Sequence, residues 1–133
     1  MLRRRITVKQ QERILLVQDG RFSGLLMPGE HRILVSSYDS LETEKHDLND
    51  LVFESVWADY LVRRCPEIVE RHFTLVQTTR TQIAMVYVNG PLFTVLVPAK
   101  RLLFWRDAAL VTAEVVDVVA EQESPVESRM ATC

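Results

Sequence analysis

Short apolar runs that end at turn residues dominate the pattern of this chain. In the first half, residues 14–18 are followed by the pair Asp19-Gly20 and then by residues 22–27. Apolar runs of about four to eight residues bounded by Gly, Pro, Asn or Asp are typical of β-strands. The pattern therefore predicts a mainly β chain that is rich in hairpins.

The turn residues indicate how the strands are joined. Asp-Gly or Asn-Gly between two apolar runs favours a tight hairpin, because the central residues of that turn need positive φ. Proline then ends the following strand, since it donates no ladder hydrogen bond. Structural turns are predicted at Asp19, Gly20, Pro28, Gly29, Asn89, Gly90 and Pro98. The predicted cross-strand pairs are Val17 with Phe22, Ile14 with Leu25, and Tyr87 with Leu92.

The same order of signals occurs twice, and matching residues lie 70 positions apart. Such pairs are Gly20 and Gly90, Pro28 and Pro98, Leu26 and Leu96, Glu44 and Glu114, and Asp47 and Asp117. A repeated register without gaps indicates an internal duplication. We therefore predict two tandem four-stranded β units, residues 5–48 and 75–118, related by internal pseudo-symmetry.

A helical linker over residues 49–74 joins the two predicted units. Trp57, Tyr60 and Leu61 lie at helical spacing within it, and Pro66 suits the first turn of a second short helix. The predicted fold class is accordingly mainly β with a short helical insert (α+β).

Length and composition are those of one globular domain. The chain has 133 residues, of which 47% are hydrophobic and 26% are charged, close to globular averages. We predict a single compact domain over residues 1–120. Residues 121–133 are rich in Glu and Ser, and they are predicted to form a flexible acidic tail.

The last predicted strand of each unit differs in polarity. The first is highly polar and should be a solvent-exposed edge, whereas the second, residues 111–116, is mostly apolar and should be more covered. An exposed edge can pair with another chain through main-chain hydrogen bonds. The candidate interaction edge consists of Leu41, Glu42, Thr43, Glu44, Lys45 and His46.

Residues with catalytic or metal-binding chemistry are scattered. Cys65 and His72 lie seven positions apart, but Pro66 interrupts the helix that would bring them to one face. The three histidines His31, His46 and His72 have no carboxylate spacing that marks a metal site, and Cys133 is far from Cys65. We expect no catalytic residue, no metal, no cofactor and no small-molecule substrate.

Four aromatic residues could form a platform for a ligand, although aromatics beside Leu and Val are more often core. They are Trp57, Tyr60, Phe104 and Trp105. The longest uninterrupted apolar run, residues 83–88, is too short to cross a bilayer, and the first residues lack the apolar stretch of a secretory signal. A cytoplasmic location is therefore expected, with any membrane contact peripheral, at the inner membrane.

Residues 11–29 resemble the opening of the stomatin/prohibitin (SPFH) superfamily domain. The likeness lies in a Glu-Arg pair, an apolar strand, a Gly-Arg-Phe turn and a Pro-Gly before the next strand. The second copy, with Val-Tyr-Val-Asn-Gly over residues 86–90, is similar to the iterated segment at the front of bacterial slipins. Together the likeness covers nearly residues 1–120.

The resemblance implies a non-enzymatic, membrane-associated scaffold that forms oligomers and organises membrane proteins, often beside a membrane protease. It transfers no catalytic residue, because the matching positions Glu12, Arg13, Gly20, Pro28 and Gly29 are structural in character. Relative to that family, we expect this chain to be without the apolar anchor and without the main domain body. We expect an N-terminal fragment or a short relative.

Three hypotheses about function follow. The leading one is a slipin-like scaffold or protein-interaction module that self-associates or docks onto a partner, with no nucleic acid expected. The alternative is a small nucleic-acid-binding β-barrel, for which the candidate residues are Arg3, Arg4, Arg5, Arg13 and Arg21. The third is a hydrolase built around Cys65.

Overall fold

A computed structural model describes residues 2–37 and 40–118 of the chain. They form open antiparallel sheets with two short helices, which confirms the mainly β prediction. The chain divides into two compact units, Met1–Val69 and Glu70–Cys133. The predicted tail, residues 121–133, lies outside the described residues.

Five strands and a helix belong to the first unit. The strands are β1 (Leu2–Val8), β2 (Glu12–Gln18), β3 (Arg21–Leu26), β4 (Gly29–Val35) and β5 (Leu41–Asp47), and they precede α1 (Ala58–Arg64). β1 pairs with β4, and the order β3-β2-β5 forms a second sheet. Apolar side chains between these strands form a core, which consists of Ile6, Val8, Ile14, Leu16, Val35 and Leu41.

The hairpin of the first unit has the predicted turn. Asp19 and Gly20 have φ of 52° and 75°, the two positive values that a two-residue hairpin requires. Val17 pairs with Phe22 as predicted. The prediction that Ile14 faces Leu25 is wrong, because a β-bulge between Leu16 and Val17 shifts the register. One extra residue is thereby accommodated in β3, and Ile14 pairs with Leu26.

The second face of β2 is also covered in the first unit. Leu15 and Val17 point to this face and are 0% and 4% exposed. Phe22, which lies opposite Val17, places its ring 6.1 Å from Trp57 and 6.2 Å from Tyr60. The segment that contains α1 therefore packs on the sheet, as an amphipathic helix of this spacing should.

The linker is helical over a shorter span than its sequence pattern indicated. The helical linker was predicted over residues 49–74, whereas α1 begins at Ala58, after the Trp57 amide donates to Ser55 Oγ at 3.0 Å. The second helix, α2 (Pro66–His72), begins at proline, as predicted. The boundary between the two units falls within α2.

Five strands belong to the second unit as well. They are β6 (Phe73–Gln77), β7 (Gln82–Val88), β8 (Leu92–Leu96), β9 (Arg101–Trp105) and β10 (Val111–Asp117). β6 pairs with β9, and the order β10-β7-β8 forms a three-stranded sheet. Phe73, Phe104 and Trp105 are all buried, and the rings of Phe73 and Trp105 lie 4.6 Å apart.

The second hairpin repeats the geometry of the first. Asn89 and Gly90 have φ of 52° and 112°, and a bulge lies between Val86 and Tyr87. Tyr87 pairs with Leu92, as predicted. The Val88 amide donates to the Pro91 carbonyl at 3.0 Å, and proline has no amide with which to return that bond.

The number of strands in each unit differs from the prediction. Within residues 2–37 and 40–118, each unit contains five strands rather than the predicted four, because residues 2–8 and 73–77 form full ladders with β4 and β9. The single domain over residues 1–120 stays a prediction. None of the described helices is long and apolar enough to span a membrane.

Candidate functional site

The candidate interaction edge predicted from the sequence lies on β5, which is one of the two edge strands in the order β3-β2-β5. Ser40 accepts from the Asp19 amide at 2.7 Å, and the Leu48 amide donates to Gln11 at 2.8 Å. Main-chain groups alternate in direction along a strand. Even-numbered residues of β5 therefore point at β2, and the odd-numbered ones, including Thr43, point to the open edge.

Side chains on β5 are polar and already interact within the first unit. Lys45 Nζ lies 3.6 Å from Glu12 Oε2, and His46 Nε2 lies 2.6 Å from Glu44 Oε1. The His46 ring also lies 4.7 Å from the Phe53 ring. Leu41 is buried, whereas Glu42 and Thr43 are exposed. Charged side chains of this kind protect an edge from non-specific pairing.

β10 is a second edge strand, in the order β10-β7-β8. The prediction that this strand is more covered than β5 is wrong. Thr112, Ala113 and Glu114 are exposed, and Val115 is 47% exposed. Its apolar composition indicated burial, but an edge strand has a single neighbour in its sheet, so the topology leaves it open.

An apolar face of the second unit is also exposed. Met85 lies opposite Val95, and Tyr87 lies opposite Leu92, so the four side chains share one face. Leu92 is 56% exposed and Val95 is 46% exposed. Sequence reasoning missed this second-unit face. The available signal was the run over residues 92–97, which is apolar on both faces of one strand.

The histidines are placed by main-chain and side-chain partners of their own. His31 Nε2 lies 2.7 Å from the Met27 carbonyl oxygen, and His46 contacts Glu44 and Phe53. His72 ends α2. Within residues 2–37 and 40–118, no group of three His, Cys, Asp or Glu residues could hold a metal ion.

The four candidate aromatic residues do not form one described platform. Trp57 and Tyr60 belong to the first unit, where their rings lie 5.6 Å apart beside Phe22. Phe104 and Trp105 are 0% and 1% exposed in the core of the second unit. Phe104 and Trp105 therefore present no surface to a ligand.

The arginines proposed for nucleic-acid binding differ in their exposure. Arg13 is 5% exposed, and its Nη1 donates to the carbonyl groups of Gln10 at 3.0 Å and Glu12 at 2.6 Å. Arg5 lies 3.7 Å from Glu30. Arg13 is thus committed to the turn between β1 and β2, and it cannot join Arg3, Arg4 and Arg21 on an exposed surface.

Cys65 lies between α1 and α2 and is a free cysteine. Burial of the thiol, together with the carboxylate of Glu67, raises its pKa above the ordinary value. A raised pKa keeps the thiol protonated at neutral pH, and the thiolate is the nucleophile. This environment is the opposite of the one that activates a catalytic cysteine.

We expect Cys65 to react slowly with iodoacetamide at pH 7 and faster as the pH rises, because only the thiolate reacts. Glu67→Gln should lower the thiol pKa and increase the rate at pH 8. Glu70→Gln, on the same helix, is the matched control. Alkylation followed by mass spectrometry of the Cys65 peptide measures the rate. Rapid reaction at pH 6 in the unaltered protein would contradict the expectation and favour the hydrolase hypothesis.

Comparison with known proteins yields no relative. The chain matches no protein-family model, no curated protein and no solved structure. The open edges of β5 and β10 and the second-unit face are therefore the features from which function is inferred.

Proposed function

We propose that the protein is a non-enzymatic scaffold or protein-interaction module that docks through the open edge of β5. One observation carries this proposal: β5 is a seven-residue edge strand, and the amide and carbonyl groups of its odd-numbered residues point away from β2. A partner strand can add to such an edge by main-chain hydrogen bonds, with alternate side chains giving specificity. The polar side chains of β5 favour a selective partner over non-specific association.

We also propose that the two units arose by internal duplication, so that one chain carries two related edges. Four hydrogen bonds support this, since each recurs 70 positions later with the same main-chain donor and the same type of acceptor atom. For example, the Lys9 amide donates to Glu12 Oε1 at 3.0 Å, and the Thr79 amide donates to Gln82 Oε1 at 3.1 Å.

Strand pairing supports the duplication further. Both bulges lie at the same repeat position, between Leu16 and Val17 and between Val86 and Tyr87. The ladders of β2 with β5 and of β7 with β10 have the same register. The β6–β9 ladder is shifted by one residue relative to β1–β4, so the two units differ at this ladder.

The slipin-like role is part of this proposal. Glu12 and Arg13 begin β2 and support its connection to β1, and Gly20 and Gly29 occupy positive-φ positions. These are structural roles of the kind that the resemblance assigns to these positions. We propose that the module helps a peripheral, cytoplasmic-side membrane assembly to oligomerise or to dock.

The proposal predicts that a substitution at the β5 edge abolishes partner binding. Thr43→Pro removes an outward amide and leaves the inward bonds to β2 intact, whereas Thr43→Val keeps that amide. The full chain is immobilised and exposed to a detergent-solubilised membrane fraction, and retained proteins are quantified by mass spectrometry.

We expect the unaltered protein and Thr43→Val to retain the same partner. Thr43→Pro should retain about tenfold less of it, or less still. Static light scattering over a concentration series reports self-association in parallel. A strict monomer that retains no partner in a Thr43-dependent manner would contradict the proposal.

A further inference from the structure

We propose that β10 pairs with β10 of a second copy of this chain, in an antiparallel arrangement about a twofold axis at Ala113. This contact lies on another strand and another unit than the β5 edge, so it goes beyond the proposed function. The two-copy contact would join two three-stranded sheets into one six-stranded sheet.

Main-chain geometry permits this pairing. The Leu110 carbonyl accepts from the Asn89 amide at 2.8 Å, and the Val118 amide donates to the Thr81 carbonyl at 2.9 Å. Residues 110 and 118 therefore point at the rest of the sheet, as do the even-numbered residues between them. Odd-numbered residues, with Ala113 central among them, direct their amide and carbonyl groups to the open edge.

Twofold pairing on an outward-pointing residue gives hydrogen-bonded pairs, and Ala113 is the centre that suits the side chains. The opposed residues across the two copies are then Ala113 with Ala113, Val111 with Val115, Thr112 with Glu114, and Leu110 with Val116. Apolar residues meet apolar residues, and the Glu114 carboxylate meets a hydroxyl group. Pairs of this kind are the units that stabilise a sheet.

Other registers are less favourable. A centre on Glu114 places two carboxylates directly opposite each other, which is destabilising. A centre on Val115 places Asp117 opposite Ala113 and Glu114 opposite Val116, so carboxylates face apolar side chains. Of these three centres, only Ala113 keeps the Glu114 carboxylate away both from its own copy and from an apolar partner.

Exposed apolar side chains at this edge supply the driving force. Leu110 is 70% exposed and Val115 is 47% exposed. Each faces an apolar partner in the Ala113 register, and burial of apolar area from water is favourable. The edge is therefore of the open, apolar type that pairs with another chain.

β5 provides an internal comparison, because its outward residues have the same spacing. Self-pairing of β5 centred on Thr43, the position that matches Ala113, would place Glu42 opposite Glu44 twice. Like charges directly opposite are destabilising. Both strands lie at sheet edges, but the charges of β5 favour pairing with a strand of different sequence, whereas the residues of β10 favour pairing with β10 of a second copy.

The test measures the oligomeric state of the full chain. Ala113→Pro removes the central outward amide without removing a bond to β7, and Ala113→Ser is the matched control that keeps the amide. We expect the unaltered protein and Ala113→Ser to dimerise in multi-angle light scattering and analytical ultracentrifugation. Ala113→Pro should raise the dimer dissociation constant roughly tenfold or more, because the two central hydrogen bonds are lost.

A second variant covers the case in which Ala113→Pro fails to fold. Val115→Lys changes an exposed side chain, and a lysine on an edge strand opposes pairing. It should dissociate the dimer with an unchanged circular dichroism spectrum. A dimer that survives Val115→Lys with native affinity overturns the proposal.

Disulfide trapping tests the register, in a chain with Cys65→Ser and Cys133→Ser. Ala113→Cys should cross-link two copies on mild oxidation, because opposed Cα atoms lie about 5.5 Å apart. Val115→Cys should not, since its two copies lie four residues apart along the strands. Cross-linking at residue 115 alone, cross-linking at neither position, or a monomer at all concentrations overturns the inference. If Thr43→Pro abolishes partner capture while the protein is monomeric, the proposed function stands and this inference fails.

Discussion

Trp105→Ala should lower the free energy of unfolding of the second unit by about 3–5 kcal/mol. Trp105 is 1% exposed at the end of β9, and its ring lies 4.6 Å from that of Phe73 on the paired strand. Alanine removes the largest buried side chain of this core and leaves a cavity. It also removes an aromatic pair that is worth about 0.5–1.5 kcal/mol beyond its area.

Urea denaturation followed by circular dichroism measures this loss, and hydrogen exchange of the β6 and β9 amides assigns it to the second unit. Trp105→Phe keeps part of the ring contact and should cost less than alanine. Leu92→Ala, at a side chain that is 56% exposed, is the surface control and should change stability by less than about 0.5 kcal/mol. A loss below about 1 kcal/mol for Trp105→Ala would contradict the placement of this ring in the core.

Leu15→Ala should cost about 2–5 kcal/mol in the first unit, and Met85→Ala should cost much less in the second. The two residues occupy matching positions, 70 apart, on β2 and β7. Leu15 is 0% exposed, whereas Met85 is only partly buried and lies on the second-unit face. The difference between the two losses of stability reports how fully the matching sheet faces of the two units are buried.

Both variants are compared by urea denaturation, with hydrogen exchange of the β2 amides as the probe of the first unit. Hydrogen exchange of the β7 amides is the probe of the second unit. The expected order is a large loss for Leu15→Ala and a loss of about 1 kcal/mol or less for Met85→Ala, because a half-buried side chain has less transfer free energy to lose. Equal costs at the two positions would mean that the second-unit face is covered as fully as the first.

Local sequence determined most of the secondary structure. Asp-Gly and Asn-Gly fixed both hairpins, since few residues tolerate positive φ, and Pro66 fixed the start of α2. The repeated 70-residue spacing was also legible in the sequence. These are properties of individual residues and of their nearest neighbours, so the pattern was sufficient.

The sequence pattern did not predict the bulges or the long-range pairing of strands. The extra residue in β3 moved the partner of Ile14 from Leu25 to Leu26, and the hydrophobic pattern did not indicate that residue. Arg13 looked available for a nucleic acid, yet the fold buries it and turns its guanidinium onto carbonyl groups of the β1–β2 turn. Composition could not reveal which charged side chains form hydrogen bonds within the folded protein.

The sequence by itself determined that this protein is a mainly β chain with hairpins at fixed places and a helical segment in the middle. Only the tertiary structure decided which strands lie at sheet edges and which apolar surfaces stay exposed. β10 is more apolar than β5, and yet it is open along one side because β7 is its single neighbour in the sheet. Hydrophobicity gives the tendency of a strand to be buried, but burial requires a neighbour, and the chain topology supplies or withholds that neighbour.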